Sequence, residues 1–312
     1  MPAKQRGAPP TRQVTAWRPA VRGVVEVFHA HFTEYAYPMH VHDAWTLLVV
    51  DDGAVRYDLE RHEHGTPHDT VSLLPPHVPH NGSPVTAEGF RKRVVYLDST
   101  RLGEELIGAA VDGPDLRDPL LRRRVGQLHT ALGRPGDELE AESRLALVAE
   151  RLRTHLLPRP GSGRANAGTR AGAGGGAAGG TGAGGGTGAG GLSEPAAPPP
   201  DRRRDAGLAR RLRELLDERL TTGLALDEAA ALLHAHPAHL VRAFSSAYGI
   251  APHQYLMSRR VDRARRLLLG GTPAVDVATT TGFYDQSHLT RHFRRLVGVP
   301  PGRYARTARG GL

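Results

Sequence analysis

Cysteine is absent from the 312 residues, so neither a disulfide staple nor a thiolate-ligated zinc finger can hold any part of the fold. Aromatic residues are scarce at 5%, with two tryptophans, so each is a candidate core anchor or pocket wall. No apolar run approaches the roughly eighteen residues that a membrane-spanning helix needs. Met1 to Val14 is polar and proline-punctuated, without the apolar stretch of a secretion signal. A cytoplasmic protein with no membrane partner is the expectation. Also missing are a phosphate-cradling Gly-Lys-Ser/Thr loop, a locally supported Ser/His/Asp arrangement and paired catalytic carboxylates, so no enzyme is expected.

Glycine and proline are plentiful, at 38 and 24 residues, and much of the glycine is concentrated in one place. Between Pro158 and Gly207 the chain collapses into Gly, Ala, Ser, Thr and Pro, which cannot bury enough apolar surface to offset its ordering entropy. Residues 158–207 therefore read as a disordered tether, with a reach of roughly 35 to 42 Å if flexible throughout. Residues 1–20 also read as disordered.

Charge divides at that tether. Met1 to Asp201 carries 22 Lys+Arg against 23 Asp+Glu, whereas Arg202 to Leu312 carries 19 against 9. The whole positive excess thus sits in the last third, as expected when one module meets a polyanion and the other does not.

Upstream, residues 21–99 show strand signals. Val55, Tyr57 and Leu59 alternate with Arg56, Asp58 and Glu60, and the Asp51-Asp52-Gly53 turn joins them to the apolar run Thr46–Val50 as a predicted hairpin. Further strands are expected at Val24–Phe28, Val71–Leu74 and Arg93–Leu97, the spacing of a small antiparallel barrel or jelly roll. In 100–157 the period becomes helical. Leu120, Val125, Leu128 and Leu132, then Leu139, Leu145, Val148 and Leu152, mark two helices that either pack on the barrel or dimerise the chain.

The last third states one pattern twice at a constant offset. His239-Leu-Val-Arg-Ala-Phe is followed by Gly249, Pro252 and Tyr255; His288-Leu-Thr-Arg-His-Phe is followed by Gly298, Pro301 and Tyr304. In the second copy Val275–Thr281 predicts a short helix, Gly282 a turn, and Asp285 the cap of a helix running to about Val297. Helical periodicity puts Leu289, Phe293 and Leu296 inward and Ser287, Arg291 and Arg294 outward, with His288 and Arg295 flanking. In the first copy Leu240, Phe244 and Ala247 fall inward, and Ala238, Arg242 and Ser245 outward. A guanidinium at mid-helix suits bidentate bonding to guanine in a major groove, so Arg291 and Arg242 are the expected base readers, Ala238 offering a methyl contact. The arginine-rich stretch Gln254–Leu269 is predicted as one helix of about 24 Å, a spacer that holds the two heads on successive grooves.

Leu208 to Arg306 resembles the DNA-binding domain of the AraC/XylS transcriptional regulators, above all in Gly282-Phe283-Tyr284-Asp285-Gln286-Ser287-His288 through Arg291, Phe293, Gly298, Pro301 and Tyr304. The resemblance implies a double helix-turn-helix domain over 208–306, with Ala238, His239 and Arg242 in the first recognition helix and Gln286, Ser287, His288 and Arg291 in the second. It also implies promoter DNA and RNA polymerase as partners. Leu233-His234 stands where a small turn residue is common in the family, so a less regular first turn is expected.

Seven of the 17 histidines lie between His40 and His80. His40 and His42 share a strand face, and Pro38–His42 with Pro75–His80 resembles the cupin-like sensor of such regulators. Metal-binding cupins place a glutamate shortly after the histidine pair; here Asp43, Ala44, Trp45 and Thr46 follow. The reading therefore favours no cofactor: His40, His42 and His80 form a pocket for a small effector, walled by Trp45 and Tyr57, or lie on a solvated rim. The rival is a metal-dependent cupin enzyme fused to a DNA-binding domain. The expected whole is a multidomain regulator, an all-β cupin-like barrel followed by helices and tethered to an all-α double helix-turn-helix domain.

Overall fold

The computed structural model describes residues 12–60, 62–66, 69–157 and 200–309. Most of the expected tether lies outside the described residues.

Ten strands build two antiparallel sheets among the described residues: β1 Arg12–Trp17, β2 Val24–Phe32, β3 Tyr37–His40, β4 Trp45–Gly53, β5 Val55–Leu59, β6 His62–Thr66, β7 Val71–Leu74, β8 His80–Pro84, β9 Phe90–Leu97 and β10 Asp115–Leu116. One sheet has the order β1-β2-β9-β4-β7-β10, the other β3-β8-β5-β6. All ladders are antiparallel, the jelly-roll arrangement expected from the strand spacing.

Two expectations fail here. β4 and β5 do not form a hairpin: β4 pairs with β7 and β9, β5 with β6 and β8. Asp51–Gly53 stays in β4, still paired with β9, and the chain crosses to the other sheet at Ala54, just past Gly53. Gly53 sits at φ 72°, where a Cβ would strike the Gly89 carbonyl, so the corner demands glycine. Residues 1–20 are not disordered throughout, because Arg12–Trp17 pairs with β2 over its full length, burying Val14 and Ala16. Its alternation was too short to stand out beside the prolines upstream.

The helices of 100–157 pack on the barrel. After α1 (Ile107–Asp112), α2 (Pro119–Leu132) and α3 (Glu138–Leu156) bury Leu121, Val125, Leu128, Leu145, Val148 and Leu152 against Val27, Trp45, Leu47 and Val95. Each large apolar side chain so buried contributes roughly 1.5–3 kcal/mol. Leu139, assigned to the inward pattern, is 78% exposed in the first turn of α3.

The C-terminal domain comprises α4 Pro200–Glu218, α5 Leu226–Leu232, α6 Pro237–Tyr248, α7 Pro252–Leu269, α8 Ala274–Thr280, α9 Gln286–Val297 and α10 Pro301–Arg309. α4 begins eight residues inside the expected tether, with Pro200 as its first residue, where a missing N–H costs nothing. The duplication is visible in the caps. α6 and α9 each end at a left-handed glycine, Gly249 and Gly298, and α7 and α10 each begin on proline. Tyr255 and Tyr304 are fully buried at equivalent positions.

The two domains share one continuous core. Phe28, Phe32, Tyr37 and Tyr96 of the barrel pack with Leu256, Phe293, Val297 and Tyr304. At the barrel's edge strand, the Thr307 hydroxyl donates to the Ala16 carbonyl at 3.0 Å and accepts from its N–H at the same distance, covering an otherwise open edge.

Candidate nucleic-acid interface and effector pocket

α5–α6 and α8–α9 are the two helix-turn-helix units. At the second, Asp285 accepts from the His288 N–H at 2.6 Å, the expected cap; at the first, His236 does this work, its Nδ1 accepting from Ala238 N–H at 3.2 Å. The expected irregularity of the first turn is real. His234 takes φ 50°, one position later in the repeat than Gly282 at φ 84°, because α5 also starts and ends one repeat position later than α8.

Leu240, Phe244, Leu289 and Phe293 are completely buried as expected. Ala247 is exposed instead, with Ala243 taking the inward place, and Leu296 is half-buried. On the outer faces, Ala238 and Arg242 are exposed and Ser245 half-buried on α6, while Gln286, Ser287, Arg291, Arg294 and Arg295 are exposed on α9. Two of the candidate histidines are otherwise engaged. His239 pairs with Asp205 at 3.1 Å, and His288 accepts from Tyr284 N–H and meets the His292 ring edge-on.

The outer face of α9 does not stand alone. Gln286, Ser287, Thr290, Arg291, Arg294 and Arg295 form one wall of a groove of about 780 Å³ whose other wall is Arg12, Tyr35, Ala36 and Pro38 of the barrel. The Tyr35 hydroxyl donates to the Arg295 carbonyl, and the Phe32 ring would meet a Cβ on Gly298 at 2.8 Å. α6 meets the barrel differently: Ala247, Tyr248 and Gly249, at its C-terminal end, face Glu60 and His77–Pro79 across a cleft that Ala238 and Arg242 do not line.

A layer of ion pairs joins the domains, and α7 supplies the cations. Arg265 donates to Glu26 at 2.7 Å, Arg266 to Asp43 at 2.6 Å, and Arg259 pairs with Asp43 at 3.2 Å. Tyr304 also donates to Glu26, at 2.5 Å, and Arg265 lies 4.5 Å from the centre of the Tyr96 ring. Glu26 and Arg265 are 3% and 4% exposed. Burial pushes the Glu26 carboxyl upward, while the Arg265 charge opposes that shift. Arginines that looked like a basic helix surface are thus largely committed to docking; Arg263 remains exposed.

Inside the barrel His40, His42 and His80 converge as expected, with ring centres 4.5 to 5.3 Å apart. They share a cavity with Tyr57, Tyr37, Thr46 and Lys92. Burial holds all three imidazoles below their ordinary value, His80 to about 4, and lowers the Lys92 ammonium to about 7. Trp45 is not a wall of this cavity. It points to the other side of β4, among the helices, and its indole N–H donates to the Leu102 carbonyl at 2.6 Å. Lys92 was missed because its neighbours Arg91 and Arg93 make β9 read as an ordinary charged strand.

Residues 22–149 match the AraC-like ligand binding domain, and residues 229–307 match a helix-turn-helix domain model. The chain belongs to the AraC/XylS family. It is 37% identical over 76 residues to the uncharacterised HTH-type transcriptional regulator YbfI of Bacillus subtilis, matching 24% of this chain and 28% of that protein. It is 44% identical over 62 residues to the probable transcriptional regulator LumQ of Photobacterium leiognathi, 20% of this chain and 25% of the relative. These matches span only about a quarter of the relatives' length. The fold as a whole is similar to that of ToxT from Vibrio cholerae O395, with a TM-score of 0.50 and 11% identity over 96% of this chain and 98% of that one. Among the described residues, no helix is long and apolar enough to cross a membrane.

Proposed function

We propose that this chain is a sequence-specific transcriptional regulator that reads double-stranded promoter DNA through α6 and α9 and is controlled by a small effector in the barrel. The observation that carries the reading is the duplicated helix, which presents Arg242 and Arg291 at the same repeat position, both exposed, over a buried Leu and Phe. Arg291 and Arg242 read bases, with Ala238, Gln286 and Ser287 beside them; Arg294 and Arg295 hold phosphates, Ser245 flanks the first face, and His239 and His288 orient rather than read.

The groove beside α9 places the barrel's Tyr35–Pro38 edge next to the face that would enter a major groove. Reading by α9 therefore requires the barrel's Tyr35–Pro38 edge to move away, and the docked arrangement is the restrained state. An effector acts by binding docked and undocked forms unequally. ToxT has been solved bound to (E)-4-(8-methylnaphthalen-1-yl)but-3-enoic acid, a small carboxylic acid. A pocket lined by a half-buried lysine, such as the one around Lys92, is suited to similar chemistry. RNA polymerase as a partner, a cytoplasmic location and a homodimer belong to the same proposal, the last through the outer face of α3, where Leu139 and Leu147 are exposed. A fused cupin enzyme is the less favoured reading, since YbfI and LumQ are both named as regulators.

Genome-wide mapping of bound sites, followed by titration of one mapped promoter against a scrambled duplex at physiological salt, tests the reading. A preference of 10³-fold or more is expected for a specific site. Equal binding to both duplexes would overturn it.

A further inference from the structure

Lysine is nearly absent from a strongly basic chain. Of the 41 Lys+Arg, two are lysine, Lys4 and Lys92, and the rest are arginine. A guanidinium carries charge as well as an ammonium does, but it keeps its proton and forms no imine, so a lysine retained among arginines points to amine chemistry. Lys92 stands on β9 on the same strand face as Phe90, Val94 and Tyr96, and it lines the cavity of His40 and His80. Its side chain is half-buried, with the amine nitrogen 3.9 Å from the centre of the Tyr37 ring, 5.8 Å from that of Phe28 and 6.0 Å from that of Phe90. Among the described residues no carboxylate pairs with it, and the charge that acts on it is the Arg265 guanidinium, of its own sign. Loss of water around the amine, then that guanidinium, pull it down to about 7. At neutral pH about half of it is the free base, against roughly one part in 10³ of an ordinary lysine.

The surroundings suit attack on a carbonyl. Two hydroxyls lining the same cavity, Tyr37 and Thr46, are buried without a hydrogen-bond partner among the described residues. His40 and His80 hold Nδ1 against the Pro38 and Val78 carbonyls, at 2.7 and 3.1 Å, so Nδ1 carries the proton and Nε2 the lone pair. An imidazole in that form takes a proton from an attacking amine, and a hydroxyl without a partner donates to a carbonyl oxygen.

We propose that Lys92 binds a small aldehyde as a reversible imine. The amine nitrogen bonds to the carbonyl carbon while one amine proton passes to the carbonyl oxygen, giving a carbinolamine. The C–O bond then breaks, water leaves with the second amine proton, and a C=N bond remains. Neither oxidant nor reductant is consumed, and hydrolysis reverses the step. The free space in the cavity is about 40 Å³. One water-sized sphere takes about 10–15 Å³, so roughly three carbon atoms fit. Leu296 and Val297, in the last turn of α9, line the cavity, so a longer chain must push on the second reading helix. The inference deepens the effector-pocket reading, on which it rests only for the step from bound ligand to DNA access. An aldehyde differs from a carboxylic acid in needing the neutral amine, where an acid needs the ammonium.

The test incubates the full-length protein at neutral pH with propanal and sodium cyanoborohydride, which reduces an imine to a stable secondary amine, and maps the propyl groups by peptide mass spectrometry. Lys92 is expected to react about tenfold or more faster than Lys4, and about tenfold or more faster than Lys92 of the urea-unfolded chain. Equal rates at the two lysines, or no slowing on unfolding, would overturn the site. A rise in Tm with propionate, together with no propyl group on Lys92, would make the cavity an acid site and overturn it as well. Hexanal should react about fivefold or more slower than propanal in wild type, the cost of crowding a packed cavity. Leu296→Ala, checked for folding by circular dichroism, should narrow that gap, with Leu296→Val as the milder variant should it not fold. A gap unchanged in the folded variant, or none in wild type, would overturn the contact with α9. DNA plays no part in these measurements, so their failure leaves the regulator reading standing, and the converse holds as well.

Discussion

The two halves of the repeat fold alike yet spend the same tyrosine differently. Tyr255 donates to Asp217 of its own domain at 2.9 Å, whereas Tyr304 donates to Glu26 of the barrel at 2.5 Å. The first unit is closed on itself, with Ala238 and Arg242 clear of the barrel; the second has its reading face in a groove shared with the barrel. The two units share one repeat but differ in which of their side chains turn toward the barrel.

The largest expected difference is at the carboxylates. Glu26→Ala leaves Arg265 buried without its main partner and should cost about 3–5 kcal/mol. Asp217→Ala, at a half-buried site that water reaches, should cost no more than about 1.5 kcal/mol. Chemical denaturation of both variants checks the ratio, and equal losses would break the comparison. Next come the readers: Arg291→Ala and Arg242→Ala should each cost about 1–3 kcal/mol on a specific site and relax base preference locally. Arg295→Ala should instead weaken all sequences alike and reduce the salt slope, as binding titrations at several salt concentrations would show. The tyrosines are subtler. Tyr304→Phe removes a donor to a buried carboxylate and should cost about 1–3 kcal/mol, against about 0.5–1.5 kcal/mol for Tyr255→Phe. Smallest is a gain: His234→Gly relieves a left-handed residue in the first turn and should stabilise by about 0.5–1 kcal/mol, read as a shift in denaturation midpoint.

The DNA-binding helices were legible because repetition supplied an internal control: Gly249 against Gly298 and Tyr255 against Tyr304 fixed the frame before any geometry was known. The histidine cluster was legible from the two-residue spacing of His40 and His42. Trp45 was placed on the wrong side because Trp45–Val50 is buried on both faces: Trp45, Leu47 and Val49 face the helices, while Leu48 and Val50 face the other core. A strand buried on both sides carries no alternation from which to read direction. The hairpin failed for a related reason, since Asp51–Gly53 has turn composition whether the chain reverses within a sheet or crosses to the next. Docking left no local signal. Glu26, Asp43 and Asp262 look like ordinary surface charges, and their arginine partners on α7 looked like part of a basic face until the fold brought the two sets together.

Restraint of the second reading helix by the barrel is tested most directly by hydroxyl-radical footprinting of wild type and Glu26→Ala on one mapped promoter. Wild type without effector should protect the single major groove read by α6, and Glu26→Ala should protect two successive grooves. Identical footprints from the two folded proteins would contradict it.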